Sequence, residues 1–274
     1  MSNKDISELK HDWSAKTAVF LFSGLFLWWM ILTAANGTDE AKGLWGAAYQ
    51  VVALWGGVWG LLIAKTWGGM KSIMGRAITA FSIGLLLQVF GQSVFSFYNL
   101  VASVEMPYPS LADVGFFGSI PFYAYGIFNL ARASGIKISL KSASNKLQAV
   151  IIPLVILGLS YLYFLKGYEF DWSAPIRVFL DFGYPLGQAF YVAMALLTYL
   201  LSKKTLGGIM KNKVLFILLA LAIQYLADYN FLYQAYAGTW GVSAYGDVIY
   251  LVAYFLMALG LIQLKSDFIK TKDS

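Results

Sequence analysis

The chain has 274 residues, of which 59% are hydrophobic and only 12% are charged, a composition too apolar for a soluble domain to bury in one core. It has no cysteine, and its single histidine, His11, lies in a polar N-terminal segment. This excludes a disulfide framework, thiolate chemistry and metal sites built from histidine or cysteine. We therefore expect a protein solvated by lipid and no cofactor.

Eight apolar runs are each long enough to cross a membrane, since about 20 helical residues cross roughly 30 Å of hydrocarbon. The runs are 17–35, 45–65, 77–100, 111–131, 147–165, 178–201, 214–234 and 245–264. The first run follows acidic residues and lacks a small-residue cleavage pattern, which predicts a retained helix and not a signal peptide. The prediction is an all-α, polytopic integral membrane protein with eight transmembrane helices.

The net charge of +6 comes from basic residues that concentrate in alternate loops. Of the 20 lysines and arginines, only Lys42, Lys166 and Arg177 fall on one side of the eight-helix arrangement. By the positive-inside rule this side is the outer side, and the bias predicts a multi-pass protein of the plasma membrane with both termini in the cytoplasm. Anionic lipid headgroups account for the basic loops, so we expect the lipid bilayer as a partner and not nucleic acid.

The second half of the chain repeats features of the first half. At a shift of 134 residues, four residues of the fourth span meet identical residues of the eighth: Asp113 and Asp247, Val114 and Val248, Ala124 and Ala258, Gly126 and Gly260. At a shift of 135, spans 2 and 3 match spans 6 and 7, for example at Tyr49 and Tyr184. Four spans per unit is an even number, so both halves would share one orientation in the membrane.

This pattern predicts a 4+4 parallel internal duplication. The expected parts are a cytoplasmic tail (1–16), a first four-helix repeat (17–132), a cytoplasmic connector (133–146), a second four-helix repeat (147–265) and a second cytoplasmic tail (266–274).

Small and polar residues inside two of the spans predict how the helices pack. Gly56 and Gly60 lie four residues apart, which lets another helix backbone approach closely. Gln88 and Gln92 lie among apolar residues of the third span and are expected to form hydrogen bonds between helices.

Four aspartates near the predicted outer ends of spans are candidate ligand-binding residues, together with polar side chains on neighbouring turns. The set is Asp113, Asp181, Tyr184, Gln188, Asp228, Tyr229, Asn230, Asp247 and Tyr250. These residues would line one outward-open crevice for a small molecule or a cation. In a plainer interpretation, Asp113 and Asp247 cap helices and Asp181 pairs with Arg177.

Asp228 does not fit the plainer interpretation. Counted from Lys213 at about 1.5 Å per residue, it lies roughly 22 Å along the seventh span, in the outer third of the hydrocarbon layer. A carboxylate at that depth should face the bundle interior or water and should have a partner. Both a functional role and a structural polar network remain open for it.

Several enzyme and cofactor classes fit the sequence poorly. Intramembrane aspartyl proteases carry a Gly-x-Gly-Asp stretch, and here Ala244 stands at the position of its first glycine, before Gly246 and Asp247. A retinal protein needs an interior lysine for its Schiff base, which spans 7 and 8 lack. No nucleotide-binding loop is present. We expect no enzyme activity.

The stretch Pro109-Ser110-Leu111-Ala112-Asp113, followed by Phe116-Phe117 and a helix that contains Pro121, resembles a motif of certain bacterial signalling proteins. There it occurs in multi-helix membrane regions that precede histidine kinase or diguanylate cyclase domains. The stretches that begin at Asp181 and Gly246 are similar to repeats of those regions. The resemblance implies a membrane-embedded sensory module, and because only nine residues follow Lys265, we expect it to signal through a separate partner.

The leading hypothesis is therefore a non-enzymatic sensor or ligand-binding module with an outward-facing acidic and aromatic crevice. The alternative is a small proton-coupled transporter, because parallel repeats, prolines within spans and buried acids also occur in carriers. The identity of the ligand, the output partner and the oligomeric state stay open.

The topology can be tested because the chain has no natural cysteine. Single cysteines at Ser144 and Thr205, on the basic side, should be shielded from an impermeant thiol reagent in intact cells. A cysteine at Gly238 should react, because its loop lies on the opposite side. The reverse labelling pattern would contradict the predicted orientation.

Overall fold

The computed structural model describes residues 12–104, 106–134, 142–202 and 208–265. Within these residues the fold is all-helical and contains no strand. The main helices are α1 (Trp13–Ala34), α2 (Asp39–Ala48), α3 (Val51–Thr66), α4 (Ile73–Ser96), α5 (Leu111–Ala133), α6 (Ala143–Ser160), α7 (Pro175–Ser202), α8 (Gly208–Tyr236) and α9 (Tyr245–Ile262). The labelling position Thr205, His11 and most of the predicted tails and connector lie outside the described residues.

All eight predicted spans are present as helical segments that are long and apolar enough to cross a membrane. They are Trp13–Ala34, Asp39–Thr66, Ile73–Val101, Leu111–Ala133, Ala143–Leu165, Pro175–Leu201, Lys213–Ala235 and Tyr245–Ile262. Several begin earlier than the apolar runs because polar residues cap and extend the helices. The third span, for example, begins at Ile73 because the Ser72 hydroxyl accepts the Gly75 N–H at 2.8 Å.

The helices divide into a packed centre and an exposed periphery. α4 packs along α3 and α5, α9 packs on α8 and α3, and α7 contacts α5, α6 and α8. Only 11% of the apolar part of Trp13–Ala34 and 6% of that of Ala143–Leu165 is buried. These two spans therefore lie at the edge of the bundle, where their apolar side chains suit contact with lipid.

Gly56 and Gly60 allow two helices to approach α3, which confirms their predicted packing role. A Cβ atom at Gly56 would lie 2.7 Å from the Cβ of Ala258 in α9. A Cβ atom at Gly60 would lie 2.1 Å from the Ser82 hydroxyl oxygen in α4. Both distances are too short for any side chain larger than hydrogen.

The two glutamines of α4 join helices, as predicted. Gln88 Nε2 donates to the Ser119 hydroxyl of α5 at 2.8 Å, and Gln92 Nε2 donates to the Gly46 carbonyl of α2 at 2.8 Å. Both side chains are buried. Without these partners their amides would lose water on folding and gain nothing in exchange.

A cluster of polar and aromatic contacts joins the start of α1 to the end of α9. Lys265 Nζ donates to Asp12 Oδ2 at 2.5 Å and to the Ser14 hydroxyl at 2.7 Å, and it lies 4.5 Å from the ring centroid of Trp59. Burial alone would raise the pKa of Asp12, but hydrogen bonds from Lys265, Ser14 and Ala15 hold it below its usual value. The contact therefore stabilises the fold at pH values above the ordinary pKa of aspartate. This contribution is lost as the pH falls through the lowered pKa of Asp12 in the folded protein.

Gly56→Ala should lower the free energy of unfolding by about 1–3 kcal/mol, because the added methyl group would overlap Ala258. Gly24→Ala in α1 is the matched control. No atom lies within 4 Å of its new Cβ, and alanine favours a helix over glycine by roughly 0.5–1 kcal/mol. Thermal unfolding of the purified variants in one detergent measures both effects, and equal melting temperatures would contradict this account of the packing.

Candidate functional site

Asp228 of α8 lies at the centre of a polar cluster that involves three helices. Its carboxylate is buried and accepts hydrogen bonds from Tyr191 of α7 at 3.2 Å, Tyr250 of α9 at 2.9 Å and Gln224 of α8 at 3.1 Å. All three donors are uncharged. In the part of the chain that the structure describes, Asp228 forms no ion pair with a lysine or arginine.

This arrangement confirms that Asp228 faces the bundle interior and has partners. On insertion scales, a carboxylate at the centre of a membrane helix costs roughly 2.5–3.5 kcal/mol. Hydrogen bonds to a charged group contribute about 1.5–3 kcal/mol each, so the three donors offset the cost of an ionised carboxylate. A bound proton or cation would neutralise the same group.

Two of the partners of Asp228 were missed by the sequence analysis. Tyr250 belonged to the predicted set, whereas Tyr191 and Gln224 did not. A helical signal was available for both of them. Gln224 precedes Asp228 by one turn of α8, and Tyr191 follows Tyr184 and Gln188 along one face of α7.

Buried tyrosines extend the cluster to the remaining central helices. The Tyr254 ring lies 6.2 Å from that of Tyr250, and its hydroxyl donates to Gln88 Oε1 at 3.2 Å. Tyr49 stacks on Tyr254 at 5.9 Å between ring centroids. The aromatic residues thus supply hydrogen bonds inside the bundle in addition to apolar surface.

Asp113 both caps α5 and contacts α7. Its Oδ2 accepts the backbone N–H of Ser110 at 2.7 Å, and the Ser110 hydroxyl completes a capping box, which confirms the predicted capping role of Asp113. Its Oδ1 accepts a hydrogen bond from the Tyr184 hydroxyl at 2.7 Å. The same carboxylate therefore fixes the start of one helix and joins it to another.

Asp181 lies near the start of α7, where loop residues reach it. Tyr108 donates to Oδ1 at 2.8 Å and Tyr168 donates to Oδ2 at 2.6 Å. The predicted pair with Arg177 is present, but Arg177 Nε lies 3.9 Å away, farther than either hydroxyl. The hydrogen bond to the Asp181 carboxylate raises the pKa of Tyr168, which lies outside the spans, to about 12.

Asp247 and Asn230 have contacts of their own at the start of α9. Asp247 lies in the first turn of α9, and its Oδ2 accepts the backbone N–H of Ser243 at 2.8 Å. Ser243 precedes the N-cap residue Ala244, so this bond ties the preceding loop to α9 and does not form the capping box that Asp113 forms. Asn230 Oδ1 accepts the Tyr245 hydroxyl at 3.0 Å. Each of the four aspartates thus has its own set of hydrogen-bond partners.

The two remaining predicted residues are Gln188 and Tyr229. Gln188 of α7 is 5% exposed, and its Oε1 accepts no hydrogen bond from the described residues. The Tyr229 ring packs against Phe164 and Tyr225, with centroid distances of 4.7 and 4.1 Å. Gln188 Oε1 is therefore a buried acceptor that has no donor within the described part of the chain.

An open groove of about 270 Å³ lies along α7 on a different face from these polar residues. Its lining is apolar and consists of Phe170, Val178, Phe179, Phe182, Gly183 and Leu186. None of the predicted site residues lines it.

The described residues contain no group of three or more histidine, cysteine, aspartate or glutamate side chains that could hold a metal ion. No family model, curated protein or solved structure matches the chain.

Asp181→Asn should lower the pKa of Tyr168 from about 12 towards the ordinary tyrosine value of about 10. The negative charge of Asp181 disfavours loss of the Tyr168 proton, and the neutral amide of asparagine removes this effect. The measurement is an NMR titration with ring-labelled tyrosine, in which Tyr168→Phe assigns the signal. Asp39→Asn, at a fully exposed side chain, is the control and should leave the titration unchanged. An unaltered Tyr168 titration in Asp181→Asn would contradict this geometry.

Proposed function

We propose that the protein is a membrane-embedded sensory or ligand-binding module whose response centres on Asp228. The observation that supports this is the set of uncharged donors, drawn from α7, α8 and α9, around one buried carboxylate. Hydrogen bonds to an ionised acceptor are stronger than those to a neutral one. A proton, cation or ligand that neutralises Asp228 would weaken the bonds from Tyr191 and Tyr250.

Such a change would alter how the three helices pack. Tyr191 and Tyr250 lie on helices that flank α8, so weaker bonds favour any arrangement in which these helices separate from it. A ligand shifts this equilibrium only by the difference between its affinities for the two arrangements. The helix ends would pass the change to a separate signalling partner, as the resemblance to bacterial sensor regions implies.

In this proposal the ligand is a small molecule or a cation that approaches the aspartate-rich ends of the helices. The contacting residues would come from the predicted set of Asp113, Asp181, Tyr184, Gln188, Asp228, Tyr229, Asn230, Asp247 and Tyr250. Asp113 and Asp181 are supported most directly, because tyrosine hydroxyls from other segments converge on them. Carboxylates beside aromatic rings suit a cationic ligand.

The 4+4 duplication belongs to the same proposal, and the helix pairing supports it. α4 packs on α5 as α8 packs on α9, and α9 contacts α3 as α5 contacts α7. Asp113 and Asp247, which align in the repeat, each accept a backbone N–H from the segment just before their helix, at the third residue before Asp113 and the fourth before Asp247. A plasma-membrane location with both termini in the cytoplasm completes the proposal and follows from the basic-residue bias.

A proton-coupled transporter is the second candidate, favoured by the absence of a basic partner for Asp228 among the described residues. Proteoliposomes with a pH-sensitive dye inside separate the two functions. Inorganic and small organic cations are added outside, and both binding and internal pH are recorded. Proton flux that depends on an added cation would favour the transporter, whereas binding without flux would favour the sensor.

Asp228→Asn should leave the melting temperature equal or higher while it abolishes binding or proton-linked flux in these vesicles. The amide keeps the shape and the hydrogen-bonding capacity, and it removes a buried charge. Both quantities are measured on the same preparation, with Asp39→Asn as the control at an exposed position. Unchanged binding and flux, together with an equal or higher melting temperature, would rule out a functional role for Asp228.

A further inference from the structure

Four polar residues of α7 share one face of the helix and form what we call the polar stripe: Asp181, Tyr184, Gln188 and Tyr191. At 100° per residue, their spacings of three, four and three residues place them within an arc of about 80°. From first to last they extend about 15 Å along the helix axis.

The two ends of the polar stripe differ in their access to solvent. The Asp181 side chain is 23% exposed and contacts loop residues, whereas Tyr191 is fully buried and donates to Asp228. Between them, Tyr184 donates to Asp113, which is also buried. The stripe therefore connects a solvent-accessible carboxylate to the buried one.

Gln188 lies midway along the stripe and has an unsatisfied acceptor. Gln188 is only 5% exposed, and its Oε1 has no hydrogen-bond donor among the described residues. A buried carbonyl without a donor is unfavourable unless a water molecule or ion satisfies it. A water molecule bound at Gln188 Oε1 needs further polar partners, and the hydroxyls of Tyr184 and Tyr191, one turn to either side, can supply them.

The polar stripe ends at Tyr191 and does not continue towards the C-terminal end of α7. The next positions on the same face are Ala195, which is buried, and Thr198, whose hydroxyl donates to its own helix at the Met194 carbonyl. On α8, the turns that precede Gln224 present buried apolar residues such as Leu221 and Ile217. Polar access to Asp228 therefore comes from the Asp181 end.

We propose that the polar stripe is the route by which Asp228 exchanges protons with solvent at the Asp181 end, through water held at Gln188. The inference rests on the proposed role of Asp228 and adds its route of access. In the transfer, a hydronium ion at Gln188 gives one proton to the Tyr191 hydroxyl oxygen, and Tyr191 gives its own hydroxyl proton to the Asp228 carboxylate. An O–H bond forms on Asp228, one O–H bond of the hydronium breaks, and a water molecule remains.

The carboxylate of Asp247 in α9 interacts with Tyr49 and Tyr254, which also interact with Asp228. Among the described residues, the titratable side chains of the surrounding helices that interact directly with Asp228 are all tyrosines. They are Tyr49 beside α2, Tyr123 of α5, Tyr184 and Tyr191 of α7, and Tyr250 and Tyr254 of α9. Each supplies a hydroxyl, and none supplies the positive charge that would hold Asp228 ionised. No salt bridge therefore competes with a proton for the Asp228 carboxylate among these side chains.

The test follows hydrogen exchange at Asp228 in the full chain reconstituted into lipid vesicles. After transfer from H₂O to D₂O, infrared spectroscopy records how fast the carbonyl stretch of protonated Asp228 shifts. Asp228→Asn identifies this band by its loss. Gln188→Leu should slow the shift by about tenfold, the effect of roughly 1.4 kcal/mol on a barrier, because leucine fills the site without accepting a hydrogen bond.

Two further variants make the result specific. Gln188→Ser, which leaves room for water, should exchange as fast as the natural chain. Gln263→Leu is the matched control, because Gln263 is another buried glutamine with an unpartnered amide atom, and it lies at the end of α9 away from the stripe. If Gln188→Leu fails to fold, Gln188→Met takes its place with the same expected delay.

The outcomes separate this route from the proposed function. A protonated Asp228 band whose exchange is unaffected by Gln188→Leu or Gln188→Met would overturn the route and leave the role of Asp228 intact. Equal slowing by Gln263→Leu would also overturn it. The absence of any Asp228 band between acidic and alkaline pH would overturn protonation of Asp228 and the route together.

Discussion

The cost of placing a carboxylate among apolar helices governs how the centre of this bundle is built. Asp228 would be expensive in hydrocarbon without partners, so α7 and α9 present hydroxyls to it at Tyr191 and Tyr250. These long-range bonds fix the rotation of both helices about their axes. Because no donor carries a charge, the cluster stabilises an ionised carboxylate without committing it to a permanent salt bridge.

Tyrosine is suited to such a centre within an apolar helix bundle. Its ring packs with neighbouring rings, as Tyr49 and Tyr254 do, while its hydroxyl satisfies a buried acceptor. Tyrosine has the same role nearer the surface, where the Tyr108 and Tyr168 hydroxyls both donate to Asp181. A gradient of burial from Asp181 to Asp228 results, with hydroxyls and carboxylates at both ends and Gln188 between them.

Close backbone approach provides the second basis of the fold. In lipid, apolar side chains gain little from leaving the solvent, so dispersion contacts between tightly packed helices become important. Gly56 and Gly60 let α9 and α4 approach α3, and Gln88 and Gln92 add hydrogen bonds between the same central helices and their neighbours. α1 and α6 lie outside this packed set, and Lys265 with Asp12 holds one end of α1 to α9.

The sequence alone predicts eight helices long and apolar enough to cross a membrane, a capping role for Asp113, and a position for Asp228 that faces either the bundle interior or water. These features depend on local composition, helix-end chemistry and distance along one helix. The assembled bundle adds contacts that the sequence does not reveal: Tyr191 meets Asp228, Tyr184 meets Asp113, and loop tyrosines reach Asp181 more closely than Arg177 does. Such partners depend on which helices are neighbours and on how each is rotated. Apolar spans carry weak periodicity because lipid accepts the same side chains as the protein interior, so no sequence pattern fixes those rotations.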